Sequence, residues 1–288
     1  MRRILKIGVC VALVCGVQRF CHKQTDGFAI EKISSSHTPK AKWEIPATYE
    51  EKQEVKALLA QEFYYLAKGA QSYVFESADH EYVLKFFRHS HMRPPFWVHL
   101  LPSIGSIENY RAAKIEKGYA KLYKDFASYQ IAFKELKEET GLVYLHLNKT
   151  DDLKQKVKIW DKIGIGHILD LDSMEFIVQK KAELIFPAIT KWMNTQEEQK
   201  AKDALSSLIA FLKLRRDKGI FDKDPDLNTN FGFYQGKAIQ IDVGRFKFIP
   251  IEDSPKDEIV RITDNLLQFL NANYKGLSSH LQAEIEKI

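Results

Sequence analysis

Cysteine is missing from most of this chain. Of 288 residues only Cys10, Cys15 and Cys21 are cysteine, so a disulfide framework, a cysteine-ligated zinc site and a cysteine nucleophile are all excluded beyond residue 21. Long apolar runs are equally scarce: the best one, Ile7 to Val17, falls short of the roughly 20 residues of a membrane-spanning helix. Charge of one sign is not in surplus either. The net charge of +5 matches the five basic residues among positions 1–23 (Arg2, Arg3, Lys6, Arg19 and Lys23), where there is no acid, and the remaining chain is neutral. A basic footprint for nucleic acid is therefore absent from the folded part, and no nucleic-acid partner is expected. No internal repeat is present.

The charged start and the short apolar run have the make-up of a signal peptide or N-terminal membrane anchor over residues 1–23. The expected location is accordingly membrane-anchored or secreted to the cell envelope. No small-x-small triplet follows Val17 to mark cleavage, and basic residues flank the run on both sides, so orientation is only weakly biased. Neither Cys15 nor Cys21 has the upstream context of a lipoprotein cysteine. Residues 24–47, with Ser34-Ser35-Ser36-His37-Thr38-Pro39-Lys40, read as a polar linker.

From there the pattern is regular. Thr48 and Glu51 form a capping box ahead of the stripe Val55, Leu58, Leu59 and Phe63. Strands are expected at 63–68, 71–77 and 82–87, a long helical region at 107–140, and an added hairpin at 142–160 around Asn148-Lys149-Thr150-Asp151-Asp152. Two more strands follow at 167–171 and 175–179. A second capping box at Thr195 and Glu198 precedes the stripe Ala201, Leu205, Leu208, Ile209 and Leu212, and a last helix is capped by Ser254 with Pro255 in its first turn.

The chemistry concentrates between these last two helices. Asp222-Lys223-Asp224 is followed by Asn228 and Asn230, then by the apolar strand Ala238 to Ile241 and Asp242-Val243-Gly244. An acid in a polar loop, an amide after it and a second acid closing the next strand are the groups that phosphoryl transfer uses to orient a hydroxyl and hold magnesium. Upstream, Gly69-Ala70-Gln71-Ser72 makes a turn with a single glycine, and Lys85 interrupts the apolar strand Val83 to Phe87. A lysine placed there needs an anion if it is buried.

Taken together these motifs resemble the protein-kinase-like superfamily, whose usual form is His-Arg-Asp, an Asn five residues on, and Asp-Phe-Gly. The resemblance spans about Phe63 to Phe246 and is in order and chemistry, since Asp222 stands where the family has His and Val243 where it has Phe. It implies an α+β, two-lobed protein-kinase-like fold, with an antiparallel-sheet N-lobe over 48–183 and a reduced helical C-lobe over 184–288. It implies ATP and Mg²⁺ as cofactors, Gly69 and Lys85 on the phosphates, Asp224 facing the attacking hydroxyl, and Asn230, ahead of Asn228, with Asp242 on the metal. Asp125, Glu135 and Glu138 are the candidate acidic partners of Lys85. Glu175 to Leu184 is similar to the strand and hinge that receive adenine.

The little chain left after Gly244 makes the outline similar to small-molecule, aminoglycoside or lipopolysaccharide-sugar kinases. The expected activity is Mg-ATP-dependent transfer to a hydroxyl of a small-molecule, glycan or lipid-sugar acceptor. The competing expectation is a catalytically inactive pseudokinase that serves as a binding or scaffold module. Arg88 to Leu101 mixes bases with large apolar groups, the composition of an interfacial patch, a lid or a segment packed on its own domain. Its His89, His91 and His99 lack a further zinc ligand.

Overall fold

Residues 62–87 are rich in aromatic and β-branched side chains, and the chain there forms β1 (Glu62–Lys68), β2 (Ser72–Ser77) and β3 (Tyr82–Phe87), paired antiparallel in sequence order. The computed structural model describes residues 13, 15–35, 37–89, 92, 94–249 and 254–288. Most of the expected targeting segment, with Cys10, lies outside the described residues; Cys15 and Cys21 are exposed. Among the described residues no helix is long and apolar enough to cross a membrane.

The chain divides into two compact units, one of residues up to 93 with 146–176, the other of 94–145 with 177–288. The α+β class is as expected. The division differs from a boundary at 183, because the long helix assigned to the N-lobe belongs to the second unit.

In the first unit β5 (Lys156–Trp160) runs parallel to β1, and β6 (Gly166–Asp170) pairs antiparallel with β5, so the strand order is β3–β2–β1–β5–β6. Phe63, Phe75 and Phe86 are fully buried against it. The hairpin expected over 142–160 is not formed. β5 turns back into β6 instead, through Gly164 at φ +79° and Asp161, whose Oδ1 accepts from the amides of Ile163 and Ile165. The polar run 148–152 is engaged elsewhere: Asn148 exchanges two hydrogen bonds with the Lys40 backbone, and Asp172 accepts from Thr150 and from the amides of Leu153 and Lys154.

Nor do residues 26–43 hang free as a linker. Phe28 meets Tyr73 and Phe75 edge-on at 5.2 and 5.4 Å, and Ile33 and Trp43 are buried. Asp26 accepts from Tyr65 and Lys162. Glu175, wholly buried, accepts from Ser35 at 2.7 Å and faces His37 and His89 at 3.6 and 3.1 Å. Burial alone would raise the Glu175 carboxyl, but the facing His37 and His89 rings, joined by the Ser35 hydroxyl, outweigh it and hold the group well below the usual carboxylate range. Helix α1 (Tyr49–Leu59) then opens on the capping box of Thr48 and Glu51, as its spacing predicts.

The second unit is built on α2 (Gly105–Glu135), α3 (Ile185–Asn194), α4 (Glu198–Asp217), α5 (Pro255–Asn273) and α6 (Lys275–Glu286). Ala201, Leu205, Leu208, Ile209 and Leu212 of α4 are all buried, the stripe their spacing predicts. The second capping box does not form: α4 starts at Glu198 itself, and Thr195 bonds to Lys191 and Glu197. Ser254 holds the cap position of α5 without a side-chain bond, and Pro255 takes the first turn. Strand β7 (Phe176–Lys180) lies beside β4 (Leu142–His146). Three short strands, β8 (Glu183–Leu184), β10 (Phe231–Tyr234) and β11 (Lys237–Gln240), form a sheet in the order β11–β10–β8, and β9 (Ile220–Asp222) pairs with β12 (Phe246–Phe248).

Truncating Trp43 tests whether 26–43 is part of the first unit. Trp43→Ala should lower stability by about 3 kcal/mol in urea unfolding, whereas an unattached linker would leave the midpoint where it is.

Candidate functional site

The turn between β10 and β11 uses Gln235 and Gly236, both at positive φ, which gives the twist a two-residue hairpin requires. It registers Phe231 against Gln240, so the residues just outside the pair, Asn230 and Ile241-Asp242, come together. The Asn230 carbonyl accepts from Ile241 N at 2.8 Å and Asp242 N at 3.4 Å. Asn230 Nδ2 donates to the Asp224 carbonyl at 2.7 Å, and its Oδ1 accepts from Thr229. One residue therefore touches the loop acid's backbone through its side chain and the strand that ends in the second acid through its main chain. Asn228 is turned away, its own N–H and Nδ2 both bonded to Asp226 Oδ1.

Asp224 is exposed and Asp242 half-buried. Asp242 Oδ1 accepts from Gly244 N at 3.2 Å. The loop that carries Asp224 is held from beneath by Asp222, a buried acid whose Oδ1 accepts from Asp224 N at 3.0 Å and whose Oδ2 accepts from Gln240 Nε2. Gln240 Nε2 also donates to the Asp242 carbonyl at 3.0 Å. Burial pushes the Asp222 carboxyl up, against the pull of Arg215 at 3.7 Å. Arg215, almost fully buried on α4, also reaches Gln240 Oε1 and Glu258 Oε1, each at 3.3 Å, and Arg216 pairs with the other Glu258 oxygen.

Arg215, Gln240 and Glu258 do not figure among the motif residues. Arg215 and Gln240 each left a trace, an arginine continuing the apolar stripe of α4 and a glutamine inside the apolar strand Ala238 to Ile241.

The other two predicted residues belong to the first unit. Lys85 is buried on β3, opposite Val74 of β2. Gly69 closes the β1–β2 turn, its amide bonded to Ser72 O at 2.9 Å, with Arg88 Nη1 on the carbonyls of Gly69 and Ala70. A Cβ at Gly69 would meet nothing nearer than 3.5 Å, so the turn itself does not demand glycine. Of the three acids weighed for Lys85, Glu135 pairs with Lys218 at 3.3 Å and Glu138 sits 4.0 Å from Lys180, both at the surface. Asp125 alone is buried. Burial pushes its carboxyl up to about 7, with Lys121 and Arg245 pulling down and Asp242 adding to the rise.

Among the described residues no three His, Cys, Asp or Glu side chains converge as a metal cage. Magnesium does not need one, since it keeps waters and takes one or two protein oxygens beside substrate phosphates. Asn230 and Asp242, whose backbones the register brings together, carry side-chain oxygens of the type that demand calls for.

No protein-family model matches the chain, and no curated protein does. Among solved structures it is similar to the bifunctional kinase-methyltransferase WbdD, at 13% identity and TM-score 0.36, covering 75% of this chain and 42% of WbdD. A second is the ROP18 kinase domain in complex with AMP-PNP and sucrose, at 13% identity and TM-score 0.38, covering 66% and 52%. A third is Rv3197 in complex with erythromycin from Mycobacterium tuberculosis, at 12% and 0.33, covering 83% and 60%. The chain thus spans less than two thirds of each.

Asp125 carries a pH signature. Its raised folded-state pKa means the native protein holds a proton that the unfolded chain has released between about pH 4 and 7, so in the metal-free protein this contribution is present below that window and lost as pH rises through it. Asp125→Asn should flatten the fall in stability, gaining about 2 kcal/mol over wild type at pH 8 relative to pH 5. Denaturant unfolding at the two pH values measures it.

Proposed function

We propose that the chain is a Mg-ATP-dependent phosphotransferase acting on the hydroxyl of a small-molecule, glycan or lipid-sugar acceptor. The observation that carries this reading is the pair of main-chain hydrogen bonds that sets Asn230 beside Asp242, with the Asn230 side chain pinning the loop of Asp224. Two oxygen-bearing side chains and an exposed carboxylate are thereby carried by one hairpin and its adjoining loop. In this reading Asn230 and Asp242 bind the metal, while Lys85 and the backbone of the Gly69 turn bind the nucleotide phosphates. When bound, magnesium neutralises charge on the phosphates.

Asp224 orients the acceptor hydroxyl and takes its proton late, which asks little basicity of an exposed carboxylate. The tie from Asp222 to its backbone amide keeps the loop in place. A small acceptor is preferred to a peptide because β12, the strand that follows Gly244, is taken up by pairing with β9. Residues 1–23 are proposed to bring the chain to a membrane or into the cell envelope.

A binding module of the pseudokinase kind is the second reading. It is favoured by Asp222, which replaces the family's His and faces inward to Arg215 and Gln240.

Thermal melting of the full chain with ATP, with and without Mg²⁺, tests both. Ligand at 100 times its Kd adds about 2.7 kcal/mol of stability. A magnesium-dependent rise in Tm that disappears in Asp242→Ala and Lys85→Ala is the expected result, followed by phosphate transfer to an acceptor that fails in Asp224→Ala. A rise with no transfer to any hydroxyl acceptor, or no rise at millimolar ATP, would overturn the phosphotransferase reading in favour of the binding module.

A further inference from the structure

The densest run of exposed apolar side chains belongs to neither the candidate site nor the first unit. Phe96, Trp97, Leu100, Ile104, Ile107 and Tyr110 lie within fifteen residues, and Phe96, Leu100 and Ile104 are 76, 69 and 71% exposed. An apolar concentration of this kind on a soluble surface marks a contact.

The exposure is built in. The turn Phe96–His99 lies close against α2, since a Cβ at Gly118 would come within 2.5 Å of Pro94 Cα, and Val98 is fully buried beneath it. Arg111 Nη1 donates to Ser103 Oγ at 2.8 Å and fastens the return of the chain. With one side seated, Phe96, Trp97 and Leu100 are left facing outward. Ile107, Tyr110, Arg111 and Lys114 recur at helical spacing along the first turns of α2, and Lys114 Nζ lies 5.3 Å from the Tyr110 ring. Exposures near 70% are those of a protruding tip, not of groove walls that would receive a peptide or small ligand.

The charge around the tip selects the partner. Residues 94–121 carry Arg111, Lys114, Lys117 and Lys121 against Glu108 and Glu116. Aromatic and aliphatic tips bordered by lysine and arginine suit the boundary between acyl chains and headgroups, and the basic excess suits anionic lipid.

We propose that residues 96–110 dock the folded chain onto an anionic lipid surface, with Phe96, Trp97, Leu100 and Ile104 entering the acyl boundary and Arg111, Lys114 and Lys117 over the headgroup phosphates. This contact is separate from residues 1–23 and independent of the nucleotide-site reading.

The test uses the full chain with Cys10→Ser, Cys15→Ser and Cys21→Ser, carrying Leu100→Cys labelled with an environment-sensitive nitrobenzoxadiazole dye. Vesicles of phosphatidylcholine with phosphatidylglycerol should shift its emission to the blue, phosphatidylcholine alone much less, and a dye on Gln199→Cys of α4 should not respond. Combining Arg111→Glu, Lys114→Glu and Lys117→Glu should weaken vesicle binding roughly 100-fold or more, with an unchanged melting temperature confirming the fold. Sedimentation with vesicles while the dye at position 100 stays unshifted would assign binding to residues 1–23 and overturn the proposal. So would no binding at all. A blue shift that grows with protein concentration without lipid would make the tip a contact between copies and overturn it equally.

Discussion

A guanidinium taken out of water has to be surrounded by acceptors, and in the second unit that requirement organises everything near the candidate site. Arg215 continues the buried face of α4, so its charge is sealed in, and Asp222, Gln240 and Glu258 converge on it. Those three residues sit at the end of β9, the end of β11 and the first turn of α5. Removing one member of such a cluster strands the others in a poor solvent at a cost of about 3–5 kcal/mol, so the three elements hold a common arrangement. Asp222 and Gln240 then use their remaining bonds on the backbone of Asp224 and Asp242. Asp224 and Asp242 inherit their placement from a charge neither of them touches.

This accounts for a departure from the family pattern. An aspartate where a histidine is expected loses a donor, and Gln240 supplies one, giving its Nε2 hydrogens to Asp222 and to the Asp242 carbonyl. The uneven spacing of the asparagines has a similar physical answer. Asn230 is selected by hairpin register, through the Gln235-Gly236 turn, whereas Asn228 is absorbed by an Asp226 turn of the loop itself.

Features with a local signature were legible in the sequence: the stripe of α4, the β-rich runs of β1 to β3 and the capping box of α1. So was the order of the motif acids, because chemistry placed at loop ends survives without periodicity. What could not be read depends on distant partners. Phe28, Ile33 and Trp43 are spaced too irregularly to show a helix or strand and are hidden among serines, and Phe28 is covered by the distant Tyr73 and Phe75. The pairing of β5 with β1 and β6 rather than β4 is likewise a matter of register across a long separation. Asp125 looked like any other acid on a long helix until burial set it apart from Glu135 and Glu138.

The contacts of residues 26–43 set an order of events during synthesis. Ser35, Lys40 and the Ser35 carbonyl meet Glu175, Asn148 and Lys149, partners 140, 108 and 114 residues further along. The earliest part of the first unit to leave the ribosome therefore cannot seat until nearly the last part of that unit has followed, with residues 94–145 of the other unit made in between. Such non-local closure slows folding, and it leaves the contacts of Ser35 and Lys40 unmade for the whole of that interval.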